Sequence, residues 1–252
     1  MLFRSRSIAD RIRKQRHVGA DEKLRIHAYD RRSTYPVTEN QRGVFLDWEM
    51  HPNTTQYNVP YAFGFRDVDA ERMKAAIAAA VAAHPYLNVG FALRDGELLQ
   101  VRRDELRAEI EVTALKEAPT SAFFQSLVRS FDLLQDVLYR FQLYTYAGVT
   151  WVFMDIHHIV YDGLSSAVLM GDIQKAYFGE TIEPESVSAF DFALYEKELE
   201  GGEAYREAEH YFADLVEGAN ALSIPDSEEP DGSVYGKSEL HKIGRASCRE
   251  RV

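Results

Sequence analysis

The sequence predicts a mixed α/β domain in which strands alternate with amphipathic helices. Apolar residues recur at helical spacing in several segments, and in others they alternate with polar residues as in half-buried strands. Asp95 and Gly96 form a dipeptide typical of a tight hairpin turn. Because a hairpin joins antiparallel strands, a purely parallel sheet is not expected.

Residues 6–34 are rich in charged side chains, and we interpret them as a linker. The first predicted helix begins after them, where apolar residues recur at helical spacing. Thr38 and Gln41 have capping-box spacing, so a helix should start after Thr38. A strand is predicted next at 57–65, then a helix at 69–84 and a hairpin of strands 88–93 and 97–101. A short strand at 109–113, a helix at 121–130 and two longer strands at 138–146 and 149–156 follow.

Three helices are predicted in the last third of the chain, at 163–177, 188–199 and 203–216. Residues 224–236 are rich in proline, glycine and acidic side chains and should form a loop.

Composition excludes several classes of protein. The 252 residues are 46% hydrophobic, which is enough apolar mass for one large or two small domains. The formal charge is −11 without a stripe of Lys and Arg, so we expect no nucleic-acid partner. The longest apolar run, 148–156, is only strand-length, so we expect no membrane span. The one cysteine allows neither a disulfide framework nor a thiolate metal site, and we expect a cytoplasmic setting.

The two ends of the chain differ from the rest. Residues 1–5 and 242–252 resemble translated sequencing-adapter DNA, so we expect them to be artefacts and exclude them from the fold. Within the linker, residues 7–12 have the pattern of one short amphipathic helix.

One heptapeptide concentrates residues that can perform chemistry, His157-His158-Ile159-Val160-Tyr161-Asp162-Gly163. It follows the most apolar predicted strand and precedes a helix. Side chains on a strand alternate between faces, so only one of the two histidines can face a given cavity. The other should be structural. Asp162 and Gly163 provide a turn residue and a permissive backbone, and Asp162 could also pair with an arginine.

Other kinds of site fit this sequence less well. Adjacent histidines on opposite faces of a strand make poor metal ligands, and no helix carries a further ligand at i+4. A Ser-His-Asp hydrolase would need a Gly-x-Ser-x-Gly turn, and a phosphate-binding loop would need glycines before a helix. Neither is present. We interpret five of the other six histidines as hydrogen-bonded fillers: His27, His51, His84, His210 and His241.

The heptapeptide resembles the HHxxxDG core motif of the condensation domains of nonribosomal peptide synthetases. These domains have the chloramphenicol acetyltransferase-like acyltransferase fold. Further similar segments occur in the family's order between about residues 35 and 230: 36–45, 84–91, 131–140, 190–193 and 211–225.

The resemblance also has gaps. Ala83 and Asn88 stand where the family's second motif has arginines, which puts local packing or a salt bridge there in doubt. The later motifs are absent. A complete domain of this family has two lobes across a tunnel. The resemblance therefore implies a mixed-sheet two-layer sandwich with one complete lobe at 35–180 and the first helices of a second, truncated lobe at 181–241.

Subtypes of the family are distinguished near the motif. Heterocyclisation domains replace the histidine pair with aspartate, and epimerisation domains carry a tryptophan where Ser166 follows Ser165. Plant-type acyltransferases use one histidine and a distant Asp-Phe-Gly-Trp-Gly sequence, which this chain lacks.

The resemblance implies formation of an amide bond between two carrier-bound substrates. His158 would take or hold the proton of the attacking amine, and the backbone N–H of Gly163 would lie near the developing oxyanion. The residues expected to be structural are His157, Asp162 and Arg42. Asp162 is expected to pair with Arg42 or Arg140.

The implied partners are the upstream and downstream peptidyl carrier proteins and an adjacent adenylation domain. No cofactor would bind directly, and the phosphopantetheine arms of the carriers would present the substrates. Residues 7–12 resemble the last helix of a carrier protein. Two alternatives stay open: a non-catalytic docking module for carrier proteins, and a stand-alone acyltransferase that uses coenzyme A.

Overall fold

A computed structural model describes residues 26–105 and 109–218. The elements in chain order are β1 (Thr34–Pro36), α1 (Glu39–Met50), β2 (Asn58–Arg66), α2 (Ala70–Ala83), a 3-10 helix (Pro85–Asn88), β3 (Val89–Arg94), β4 (Glu97–Arg102), β5 (Glu111–Ala114), α3 (Ser121–Gln125), β6 (Tyr139–Tyr146), β7 (Val149–His157), α4 (Gly163–Phe178), α5 (Ala189–Leu199) and α6 (Glu203–Val216).

The strands form two sheets. The larger has the order β2-β7-β6-β5, in which β5 and β6 are parallel and the other neighbours antiparallel. The smaller has the order β1-β4-β3 and is antiparallel. The predicted mixed class is therefore confirmed. In the larger sheet the register sets His157 opposite Asn58 and Ile156 opposite Tyr139, so the last residues of β7 are flanked on both sides.

Local sequence signals explain most of these elements. Thr38 and Gln41 form the predicted capping box at α1, and Asp69 caps α2. Asp95 and Gly96, with φ of 52° and 81°, make the predicted hairpin turn between β3 and β4, because this turn needs left-handed backbone at both positions.

Apolar side chains cover both faces of the larger sheet, which explains why β7 is nearly continuously apolar. The main core lies between this sheet and α2, α4 and the smaller sheet, and its fully buried members include Ile77, Leu133, Leu138, Leu143 and Ile156. Phe124, Tyr144 and Phe153 form a second cluster. A strand buried on both faces needs apolar residues at successive positions rather than at alternate ones.

Two predicted boundaries are wrong. The helix predicted at 121–130 ends at Gln125, and the chain then continues through turns toward the buried Phe131. Thr34 belongs to β1 rather than to the linker, and it pairs with Val101. The ring of Tyr35 stacks on Phe190 at 4.4 Å, so β1 is held by a partner distant in sequence.

The helices α5 and α6 differ in burial. Phe190 and Leu194 of α5 are buried, whereas no residue of α6 is. Among residues 26–105 and 109–218, no helix is long and apolar enough to cross a membrane. The predictions for residues 1–5, 7–12, 224–236 and 242–252 lie outside the described residues.

Candidate active site

His157 is the last residue of β7 and is almost completely buried, 2% exposed. Its backbone N–H donates to Leu138 at 3.0 Å, and its Nδ1 accepts the backbone N–H of Ile159 at 3.1 Å. The ring contacts the aromatic rings of Phe131 and Tyr57. The imidazole is therefore held by aromatic packing and by its bond to the next turn.

Burial also determines the charge of His157. Removal from water lowers its pKa to about 4, and the neighbouring His158 and Arg140 act in the same direction. The imidazole is thus neutral near neutral pH. Because its Nδ1 already accepts a hydrogen bond, its lone pair is not available to a substrate.

His158 has the opposite environment. Its backbone N–H donates to the carbonyl of Tyr57 at 2.7 Å, which fixes the main chain, while the residue is exposed. The prediction was that alternation along the strand separates the two side chains; β7 ends at His157, and His158 lies exposed in the turn that follows. Of the pair, His158 is the one that a substrate can reach.

The residues between the histidines and α4 hold the site in place. Residues 158–162, called the site loop from here on, begin with a turn in which the N–H of Val160 donates to His157 at 3.1 Å. Ile159, Val160 and Tyr161 are all buried. Three successive apolar side chains anchor the loop in the core and leave its two chemical residues, His158 and Asp162, outside.

Asp162 is the N-cap of α4 rather than the partner of an arginine. Its Oδ1 accepts both the backbone N–H and the hydroxyl of Ser165 at 2.7 Å, and these bonds, the backbone one first, lower its pKa. The expected pairing is wrong: Arg42 binds Glu39 at 3.2 Å, one turn earlier on α1. A carboxylate at this position satisfies first-turn N–H groups that have no partner inside the helix.

Arg140, the other expected partner, neutralises a different carboxylate. It lies 3.4 Å from the fully buried side chain of Asp155, which also accepts from Asn58 at 2.7 Å. It further donates to the carbonyls of Arg129 and Ser130 and lies 3.6 Å over the ring of Phe131.

Sequence reasoning missed two residues that support this site. Asp155 lies two residues before His157 in β7. The signal that could have found it is a charged residue within an otherwise apolar strand. The capping-box spacing assigns Gln41 a role at the start of α1 alone. Its Nε2 also reaches the carbonyl of Ile159 at 3.4 Å and Gln100 at 3.2 Å, so it connects α1 and β4 to the site loop.

Gly163 opens α4 directly after the capping Asp162. Its N–H belongs to the first helical turn, where backbone donors have no partner within the helix. A Cβ atom at this position would meet nothing within 4 Å. The residue is also exposed, so this end of α4 faces solvent.

A pocket of about 320 Å³ adjoins the site loop. Its lining includes the apolar Val160, Leu164 and Val168 together with His84 and Glu185. No group of three or more His, Cys, Asp or Glu residues in the described part of the chain is arranged to hold a metal ion.

An exposed histidine thus follows a buried strand and precedes an Asp-capped helix. Residues 31–248 match the family model described as "Condensation domain". The chain belongs to this family.

Curated relatives include tyrocidine synthase 3 of Brevibacillus parabrevis, 31% identical over 194 residues, which are 76% of this chain and 3% of that protein. Surfactin synthase subunit 1 of Bacillus subtilis (strain 168) is 28% identical over 234 residues, 90% of this chain and 6% of that protein. The chain thus spans a small part of the curated relatives that it matches.

Solved structures give the same fold. The starter condensation domain of rhizomide synthetase RzmA has a TM-score of 0.67 and 18% identity, covering 75% of this chain and 49% of its own. The X-domain from teicoplanin biosynthesis has a TM-score of 0.71 and 21% identity, covering 82% and 49%. The chloramphenicol acetyltransferase-like fold class is confirmed, over about half the length of these structures.

Proposed function

We propose that this chain is part of a condensation domain that forms an amide bond between a carrier-bound acyl or peptidyl thioester and a carrier-bound aminoacyl group. The observation that carries the proposal is the division of the histidine pair. His157 is buried, neutral and bonded, whereas His158 is exposed at the start of the site loop, whose residues 160–162 line a pocket. Membership of the condensation-domain family supports it.

The chemistry requires little from the protein. A thioester is already activated, so the site must align two substrates and handle the proton that leaves the attacking amine. The imidazole of His158 accepts that proton or holds the amine by a hydrogen bond. As the amine attacks, negative charge collects on the thioester oxygen, and the N–H of Gly163 in the first turn of α4 would donate to it.

The surrounding residues keep this geometry rigid. Asp162 fixes the start of α4 through Ser165, so that the Gly163 N–H has a defined direction. The buried side chains of the site loop fix the backbone on which His158 stands. The apolar pocket beside the loop would receive part of a substrate side chain or acyl chain.

The proposal includes the partners that this reaction needs. Upstream and downstream peptidyl carrier proteins would bring the substrates on phosphopantetheine arms, and an adenylation domain would load the acceptor. The setting would be the cytoplasm.

The test is amide formation by the complete domain from which this chain comes, assayed with loaded carriers. His158→Ala should lower turnover by about a hundredfold or more, since it removes the group that handles the proton. The matched control is His27→Ala, the same change at an exposed histidine that stacks on Tyr29. It should leave turnover unchanged.

Three results would contradict the proposal. Full turnover in the His158→Ala protein would remove His158 from the reaction. Binding of both carriers without amide formation by the wild-type domain would indicate a docking module. Equal rates with free coenzyme A thioesters would indicate a stand-alone acyltransferase.

A further inference from the structure

His84 is a buried histidine held between two carboxylates from distant parts of the chain. It directly follows α2 and is 8% exposed. Its Nε2 lies 2.9 Å from Asp172 of α4, 88 residues away, and its Nδ1 contacts Glu185, 101 residues away in the segment between α4 and α5. One imidazole therefore links three separate segments.

The two contacts together require a charged ring. A neutral imidazole has one N–H and can donate to one carboxylate, whereas the imidazolium donates to both. Asp172 has a second donor, Lys175 at 2.6 Å, so the contact that depends most on the proton is the one with Glu185. The other charged groups around the cluster are Lys175 on α4, Arg102, which lines a neighbouring cavity with Glu185, and Glu180 and Glu183 near Lys175.

Two members of this cluster also line the pocket beside the site loop. His84 and Glu185 share its lining with Val160, Leu164 and Val168. Glu185 belongs to residues 179–188, which contain no helix or strand. The position of this pocket wall therefore depends on side-chain contacts rather than on backbone pairing.

We propose that His84 is a positioning residue that acts through Glu185. It ties residues 179–188 to α4 and thereby fixes the part of the pocket wall that Glu185 forms. This rests on the proposed function in one respect, namely that the pocket receives part of a substrate.

The cluster should make the fold depend on pH in a defined direction. The contact with Glu185 raises the pKa of His84, and the contact with Asp172 acts in the same direction against the effect of burial. The folded chain thus binds this proton more tightly than the unfolded chain. The stabilisation is complete below a pH of about 6.5 and is lost as pH rises through the raised pKa.

Two measurements on the chain itself test this proposal. The first is an NMR titration of the His84 ring protons. The second is hydrogen exchange of residues 179–188 at a fixed pH near 6. Glu185→Gln should lower the His84 midpoint by about one pH unit and increase exchange in the segment severalfold. The control Glu183→Gln, an exposed carboxylate in the same segment, should change neither.

His84→Gln adds a second variant with its own readout. It should speed exchange of residues 179–188 and remove the loss of stability that the wild-type chain shows as pH rises above about 6.5. An unchanged His84 midpoint in Glu185→Gln, or unchanged exchange in both variants, would overturn the proposal. Neither measurement uses a thioester or a carrier, so a failure here leaves the proposed amide formation standing, and a failure of amide formation leaves these results unaffected.

Discussion

The end of β7 and helix α6 are both rich in apolar side chains, but they meet different surroundings. At the end of β7 nearly every residue is buried, and neighbours from β2 and β6 flank it on both sides. In α6 no residue is buried, although Tyr211, Phe212 and Leu215 are large and apolar. The described residues complete the surroundings of the first region and not those of the second.

This difference shows where the chain is self-sufficient. Substitutions near β7 should change the folding stability of this chain, because the described residues contain the side chains that pack on β7. Changes in α6 should have little effect on folding, because its apolar face has no packing partner in the described residues to lose. The predictions below test this contrast, from the largest expected effect to the smallest.

The largest effect is expected at the buried ion pair behind His157. Arg140→Ala removes the cation beside the fully buried Asp155 and leaves that charge uncompensated. We expect a loss of about 3 to 5 kcal/mol in the free energy of unfolding, measured by urea denaturation. Arg42→Ala, which removes an exposed pair with Glu39, should cost less than about 1 kcal/mol. Equal losses in the two variants would contradict the distinction between buried and exposed pairs.

An intermediate effect is expected at the helix cap. Asp162→Ala removes the acceptor for Ser165 at the start of α4, which should cost about 1 kcal/mol, whereas Asp162→Asn keeps a capping group and should cost less. Because the folded-state pKa of Asp162 is lowered, its contribution is present above a pH of about 3.9 and is lost as pH falls through the lower folded value. Thermal unfolding of both variants between pH 7 and pH 2 measures this. If Asp162→Asn lowered the free energy of unfolding by several kcal/mol, Asp162 would have a buried charged partner and the assignment as a helix cap would be wrong.

The smallest effect is expected in α6. Phe212→Ser should change the free energy of unfolding by less than about 0.5 kcal/mol, because the ring is exposed. It should also reduce self-association of the chain, measured by light scattering, since it breaks an exposed apolar surface. The matched change at a buried ring, Phe190→Ser in α5, should cost about 3 kcal/mol or more. A large loss of stability from Phe212→Ser would show that α6 packs on a part of this chain.

Local patterns allowed much of the fold to be predicted. The capping box at Thr38, the turn at Asp95 and the helical spacing after Gly163 each depend on neighbours within a few residues. Strand β1 was missed because it is held by β4 and by the ring of Phe190, which are distant in sequence.

The site was predictable to a similar degree. Alternation along a strand predicted that only one of the two histidines faces a given cavity; in the structure β7 ends at His157, and His158 is exposed in the turn that follows. The predicted arginine partner of Asp162 was wrong because an aspartate before a helix can either cap the helix or pair with a cation. The positions of the arginines decide between these two roles. Arg140 is held by Asp155 and by backbone carbonyls, which leaves Asp162 to cap α4. The role of His84 depends on Asp172 and Glu185, which no local pattern connects to it.

The central claim is that burial divides the two adjacent histidines and leaves only His158 open to chemistry. Diethyl pyrocarbonate modifies accessible neutral imidazoles, and tandem mass spectrometry assigns each modification to a residue. In the folded chain at pH 7 we expect His158 to be modified and His157 to be protected, and both to react after denaturation. Modification of His157 as fast as His158 in the folded chain would contradict the account.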